Sequence, residues 1–310
     1  MALIPTPLEP GDCIGVIAPA GYLSEPEFYH QGCEILRDMG FTIHEPEKSW
    51  PGWGYLADRD QARLAELHRM FAEPEVKAIF ALRGGFGSLR LLGKIDLALI
   101  QNNPKLFFGF SDITILHNHL FDRTGLICMH GPGLASLCRC EEDSLDRLYQ
   151  CLRGNWQKTL TEPVEHVRSC DSVGDITEGP LLGGNLASLA TLLGTPWFPD
   201  LTGAVLLLED VNEPLYRLDR LLSQLWFSGA TADISAIILG QFGDEDTGEL
   251  EQLRRHEFVW NRVRELTAAR EVPIWGNFPV GHTRKNLTLP IGAWCRMDHD
   301  KGRLHFSVKK

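Results

Sequence analysis

The sequence predicts an α/β protein built on a parallel sheet, and three observations carry that prediction. Short, almost wholly apolar runs recur through the first half of the chain. Amphipathic stretches separate them, and glycine-rich or polar segments close them. Apolar runs alternating with helices imply parallel strands joined by right-handed crossovers. Helices then cover both faces of the sheet, so its strands are apolar on both sides instead of alternating with polar residues.

Taken in order, the runs are CIGVIAPA (13–20), FTIHEP (41–46), AIFALR (78–83), KLFFGF (105–110) and LICMHG (126–131). Within 60–72, Leu64, Leu67 and Phe71 fall at helical spacing and predict a core-facing stripe. The pattern loosens after residue 155. Residues 161–178 are polar and aperiodic and read as a linker between domains of residues 1–160 and 179–310. GAVLLLED (203–210) then reads as a strand. Residues 215–227 read as a helix with Leu218, Leu221, Leu222 and Leu225 on one face. AIILGQF (236–242) is a further strand, and 248–270 a charged amphipathic helix. The tail, 286–308, alternates like a β-hairpin: NLTLPIGAWCRMD, a turn at HDKG, then RLHFSV.

Composition narrows the class. The 310 residues are 44% hydrophobic and 23% charged, enough apolar material for one large or two medium domains. No stretch approaches the roughly 18 to 20 apolar residues of a membrane span. The opening MALIPTPLEPGD has prolines and acids where an export signal has basic residues and an apolar run. The net charge of −11, with no long run of lysine or arginine, argues against a nucleic-acid partner. Eight cysteines in a long chain without an export signal read as reduced thiols of a cytoplasmic protein. The densest group, Cys128, His130, Cys138 and Cys140, has C-x-H and C-x-C spacing where zinc sites favour C-x2-4-C, so no metal or other cofactor is expected.

Ligands of open α/β sheets bind at the carboxyl ends of strands. The segments there are Arg83-Gly84-Gly85-Phe86-Gly87-Ser88, Ser111-Asp112, His130-Gly131-Pro132 and Glu209-Asp210, with Val280-Gly281-His282-Thr283 late in the chain. Ser111 lies between a strand and a helix. Locally it reads first as a helix cap, the common role of such a serine, and second as a nucleophile on a strand–turn–helix elbow, whose G-x-S-x-G pattern has Ile113 at its last position here. A serine nucleophile needs a histidine base, and that histidine an acid to orient it. Among eleven histidines, His282 sits in a glycine turn with no periodic pattern to occupy it, while His117 and His119 follow Ser111 on its own helix. Glu209 closes an apolar strand, where a carboxylate must be solvated or partnered. The RGGFGS loop breaks the dinucleotide fingerprint, with Arg90 at its third glycine position, and lacks the Gly-Lys-Ser/Thr of a nucleoside-triphosphate loop. It serves at least as well to bring backbone N–H groups to a reacting carbonyl.

Together these segments resemble the LD-carboxypeptidase family, which includes muramoyl-tetrapeptide carboxypeptidases and microcin C immunity peptidases. The resemblance is carried by Gly11-Asp12 with Ile17-Ala18-Pro19-Ala20, Arg83 to Gly87, Gly109-Phe110-Ser111-Asp112, His130-Gly131-Pro132, Gly183-Gly184-Asn185-Leu186, Leu208-Glu209-Asp210, Tyr216-Arg217 and Gly281-His282, in the family's order. It implies a flavodoxin-like N-terminal domain and a smaller C-terminal α/β domain of swivelling type, with the active site between them. It also implies Ser111 as nucleophile, Glu209 as triad acid and His282 as general base. The N–H groups of Asp112 and Gly85 would form the oxyanion hole. Arg83 is the candidate for a terminal carboxylate, with His130 a further lining residue. A cytoplasmic, metal-independent homodimer acting on a small peptide such as a murein tetrapeptide is implied too. Phe86 departs from the tyrosine of many relatives. Two other readings remain: a microcin-like peptidyl-nucleotide as substrate, with Trp197 or Trp226 stacking a base, and a non-catalytic nucleotide-binding module.

Overall fold

The structure, a computed structural model, describes residues 2–46, 50–161, 168–169, 176–270 and 272–309. The chain divides into two compact units, one of Met1–Trp156 with Leu287–Ile291, the other of Gln157–Asn286 with Gly292–Lys310. Most of the expected 161–178 linker lies outside the described residues.

The first unit follows the predicted alternation. Its elements are β1 (Cys13–Ile17), α1 (Glu27–Asp38), β2 (Thr42–His44), α2 (Asp60–Ala72), β3 (Val76–Ala81), α3 (Leu97–Asn102), β4 (Leu106–Gly109), α4 (Thr114–Thr124), β5 (Cys128–His130) and α5 (Glu142–Leu152). The five strands pair in parallel in the order 2-1-3-4-5, the flavodoxin-like order that the resemblance implies. The side chains of β1, β3, β4 and β5 are almost all buried, as a sheet covered on both faces requires, while those of the edge strand β2 are exposed or half buried.

A sixth strand, β12 (Leu289–Ile291), pairs antiparallel with β5 and extends this first sheet. This corrects the hairpin expected over 286–308. Only β13 (Trp294–Asp298) and β14 (Arg303–Ser307) form that hairpin. The chain breaks between the two parts at Gly292, whose φ of +90° suits glycine. Arg147 on α5 donates from Nε to the Thr288 carbonyl at 3.1 Å, which ties this segment into the first unit.

The second unit holds an eight-stranded sheet. Its short edge strands are β6 (Leu160–Thr161) and β7 (Arg168–Ser169). Its centre is four parallel strands, β8 (Ile176–Asn185), β9 (Val205–Glu209), β10 (Ala236–Leu239) and β11 (Ile274–Gly276). Helices α6 (Leu186–Ala190), α7 (Leu215–Phe227) and α8 (Glu249–Thr267) connect them. On α7, Leu218, Leu222 and Leu225 of the stripe read from the sequence are buried, and Leu221 is half buried. Among the described residues, no helix is long and apolar enough to cross a membrane.

Candidate active site

At the carboxyl end of β4 the chain turns sharply through Ser111 into α4. Ser111 has φ of +62°, a left-handed conformation rare for a residue with a side chain. Such backbone costs of order 1–3 kcal/mol and persists only where its surroundings impose it. Gly109 helps impose it, because a Cβ there would stand 2.9 Å from Ile113 Cγ2 and 3.0 Å from Ala81 Cβ. The capping reading of Ser111 gains nothing here: neither the 3₁₀ turn Ser111–Ile113 nor α4 takes a side-chain cap. What remains is a strained strand–turn–helix elbow that presents a half-buried hydroxyl, with Ile113 in place of the usual glycine.

The glycine loop after β3 lies directly against this elbow. A Cβ on Gly84 would be 2.6 Å from Ser111 Cβ, 2.8 Å from its Oγ and 3.3 Å from the Asp112 nitrogen. Gly85 and Gly87 have φ of +114° and +137°, open to glycine alone. Its glycines have no side chains to pack, and the loop is held largely through its backbone. Gly21 N–H donates to the Gly84 carbonyl at 3.0 Å, and Ser88 N–H to Asp112 Oδ2 at 2.8 Å. Arg63 Nη1 donates to the Gly87 carbonyl at 3.2 Å and also to the Pro19 carbonyl. Burial raises the Asp112 pKa, while the Ser88 N–H and the Arg63 charge act in the opposite direction.

Sequence reasoning missed this clamp. Arg63, only 1% exposed, occupies the core stripe of α2 with Leu67 and Phe71, while Leu64 is only half buried. The available signal was the spacing 63, 67, 71, which puts an arginine one turn before Leu67 on the same face. Asp112 was expected to offer its backbone N–H to an oxyanion; its carboxylate is engaged as well, accepting from Ser88 N–H.

In the second unit, the turn after Val280 brings His282 to the end of β9. His282 Nδ1 and Glu209 Oε2 are 2.8 Å apart, with Glu209 fully buried. The intervening Gly281 has φ of +134°, and a Cβ there would stand 3.1 Å from Glu209 Oε2. A side chain there would crowd Glu209 Oε2 and strain the backbone at this φ. Gln241 N–H donates to the Val280 carbonyl at 2.9 Å and Gly281 N–H to Asn286 Oδ1 at 3.1 Å, which fixes the turn. Asp210 accepts from Val211 N–H, Ala187 N–H and Asn185 Nδ2 at 2.8–3.1 Å. Burial and then the Glu209 charge push its pKa up to about 7. A cavity of about 140 Å³ in this unit is lined by Leu239, Gly240, Phe242, His256, Trp260 and Asn277 among others, and neither Glu209 nor His282 lines it.

The other expected residues divide. Arg83 is exposed beside the glycine loop and donates from Nη1 to the Tyr22 carbonyl at 3.0 Å. His130, expected to line the site, is fully buried at the end of β5, its ring edge-on to Phe110. Trp197 and Trp226 are half buried, and Arg270 lies over the Trp226 ring. Among the described residues, no group of three or more His, Cys, Asp or Glu side chains is arranged to hold a metal ion.

The profile of the LD-carboxypeptidase N-terminal domain matches residues 14–131, and that of the LD-carboxypeptidase C-terminal domain matches residues 178–297. The chain is 36% identical over 302 residues to the murein tetrapeptide carboxypeptidase of Pseudomonas aeruginosa, covering 94% of each chain. Among solved structures, it is similar to an MccF-like protein from Bacillus anthracis with a TM-score of 0.85 and 26% identity, over 99% of this chain and 100% of the other. It is also similar to the muramoyltetrapeptide carboxypeptidase of Oxalobacter formigenes, with a TM-score of 0.77 and 26% identity, over 96% of this chain and 100% of the other.

Proposed function

Because this chain belongs to the LD-carboxypeptidase family, and is thereby a serine-type carboxypeptidase, we propose that it removes the terminal D-alanine from murein tetrapeptides through a triad of Ser111, His282 and Glu209. The observation that carries the reading is the 2.8 Å contact between His282 Nδ1 and a fully buried Glu209. A buried carboxylate on one ring nitrogen directs the other nitrogen outward as a base and stabilises the imidazolium that forms. The strained φ of Ser111 is the second support.

In this reading His282 Nε2 takes the Ser111 proton as Oγ attacks the carbonyl before the terminal D-alanine. The backbone N–H groups of Asp112 and Gly85 stabilise the oxyanion, as preorganised donors do best. His282 then protonates the departing D-alanine amine, and water hydrolyses the acyl-enzyme. Arg83 holds the terminal carboxylate in two-point fashion, for which a guanidinium is suited. His130, enclosed in the first sheet, is given a packing role. The enzyme would serve cell-wall recycling in the cytoplasm as a homodimer, a state that light scattering of the purified protein tests directly.

The test is D-alanine release from a tetrapeptide with an L,D terminal bond, by wild type and by Ser111→Ala. Loss of a triad nucleophile lowers the rate on the order of 10³-fold or more. Release that survives in the variant sinks the Ser111 mechanism. The likeness to an MccF-like protein supports a second reading, hydrolysis of a microcin-like peptidyl-nucleotide by the same groups. That reading moves to the front if the tetrapeptide is inert and such a conjugate is cleaved.

A further inference from the structure

The cavity of about 140 Å³ in the second unit takes no part in the proposed chemistry, yet it adjoins the turn that carries His282. It opens where β10 and β11 end, with α8 as its other wall, and strand carboxyl ends are where α/β sheets take ligands. Leu239, Phe242, Leu253, Val259 and Trp260 give it an apolar body, and His256, Glu257 and Asn277 a polar flank. An apolar body with a few polar groups is the make-up of a small-molecule site.

A chain of side-chain amides leads from that flank to the triad turn. Gln252 Nε2 donates to Gln241 Oε1 at 2.9 Å and lies 3.2 Å from His256 Nε2, and Gln241 Nε2 donates to Asn277 Oδ1 at 3.1 Å. Gln241 in turn supports the backbone on both sides of the pair. Its N–H donates to the Val280 carbonyl at 2.9 Å, and its carbonyl accepts from Asp210 N–H at 3.1 Å. Gly240, a lining residue, sits between the two partners: a Cβ there would stand 2.8 Å from Val280 Cγ1 and 3.1 Å from Glu209 Cβ. A molecule seated in the cavity touches Gly240 and Asn277, and through them holds the backbone on which His282 meets Glu209.

The lining also selects the occupant. An apolar cavity of about 150 Å³ takes a benzene ring, so this one suits a side chain the size of an isobutyl or benzyl group and leaves the methyl of D-alanine loose. Gln252 Nε2 can only donate, so the neutral His256 ring carries its proton on Nδ1, and Asn277, whose Oδ1 accepts from Gln241, has Nδ2 as a donor. Two donors beside the Glu257 carboxylate match the carboxylate and ammonium of an amino acid. We propose that this cavity is an activating site for an unattached amino acid with a large apolar side chain, which steadies the His282–Glu209 pair through Gly240 and Gln241. The effect on rate rests on the peptidase reading above; the binding does not.

The experiment titrates L-leucine and L-phenylalanine calorimetrically into wild type, Leu253→Trp and Asn277→Gly. Leu253 is 57% exposed, so tryptophan there covers the cavity mouth without entering the core, and glycine accepts the φ of +59° at position 277. Saturable binding is expected in wild type, and binding about tenfold weaker or less in either variant. Toluene, a ring without the amino-acid head, bound as tightly as L-phenylalanine overturns the assignment of the occupant. Saturating L-leucine is expected to raise kcat for D-alanine release about tenfold in wild type. It is also expected to shift the imidazole NMR signal of His282, identified by its loss in His282→Gln. No saturable binding, or binding that leaves the His282 signal or a measurable kcat unmoved, overturns the proposal. If L-leucine binds and moves the His282 signal while wild type releases no D-alanine, the site stands and the peptidase reading falls.

Discussion

Replacing Gly84 with alanine tests whether the glycine loop sets the position of the nucleophile. The added Cβ would stand 2.6 Å from Ser111 Cβ and 2.8 Å from its Oγ. Carbon atoms in contact sit about 3.5–4.0 Å apart, so Ser111 must retreat by about 1 Å. A displacement of about 1 Å at a reacting group costs on the order of 10²-fold in rate. Gly84 is not among the glycines with positive φ, so alanine meets no backbone penalty and the effect is steric. The assays are D-alanine release, the rate of Ser111 labelling by a fluorophosphonate, and thermal melting. Release and labelling are expected to fall together while the melting temperature stays near that of wild type. Gly248→Ala is the control, because a Cβ there meets nothing within 4 Å and its φ is −59°. A Gly84→Ala enzyme as fast as wild type refutes the argument that loop and elbow are in mechanically tight contact.

Glu209→Gln keeps the size of the triad acid but removes its charge, and kcat for D-alanine release should fall by about 10⁴-fold with the fold intact by circular dichroism. Arg63→Met strips donors from the buried Pro19 and Gly87 carbonyls, so urea unfolding should show a loss of about 3 kcal/mol. His119 is buried, and burial followed by the Arg123 charge lowers its pKa to about 4. The unfolded chain, with a histidine pKa of about 6.5, therefore binds more protons as pH falls. The stability contributed by neutral His119 is complete above about pH 6.5 and is lost toward pH 4, by up to about 3 kcal/mol. Urea unfolding across this window should show a shallower pH dependence in His119→Gln than in wild type.

Where the pattern of the chain is local, the sequence is a sufficient guide. Parallel strands buried on both faces must be apolar throughout, so β1 to β5 stand out as runs, and the turns at their carboxyl ends display Gly84-Gly85, Ser111 and Glu209 without any structure. Buried polar partners are harder to read, because a charged residue on a helix is ordinarily solvent-facing. Arg63 is such a case: nothing in the sequence beyond its spacing singles it out, although its guanidinium donates to the Gly87 carbonyl of the glycine loop.

The sequence by itself determined the α/β class and the strand ladder of the first unit, and its resemblance to a family singled out the serine, acid and histidine proposed to carry the chemistry. Tertiary structure alone decided that Leu289–Ile291 leaves its expected hairpin for β5, because alternation marks a strand without naming the sheet that pairs with it. It also decided the 2.8 Å approach of His282 to Glu209. The two residues are 73 positions apart, and only the packing of the Gly281 turn against the end of β9 brings them together.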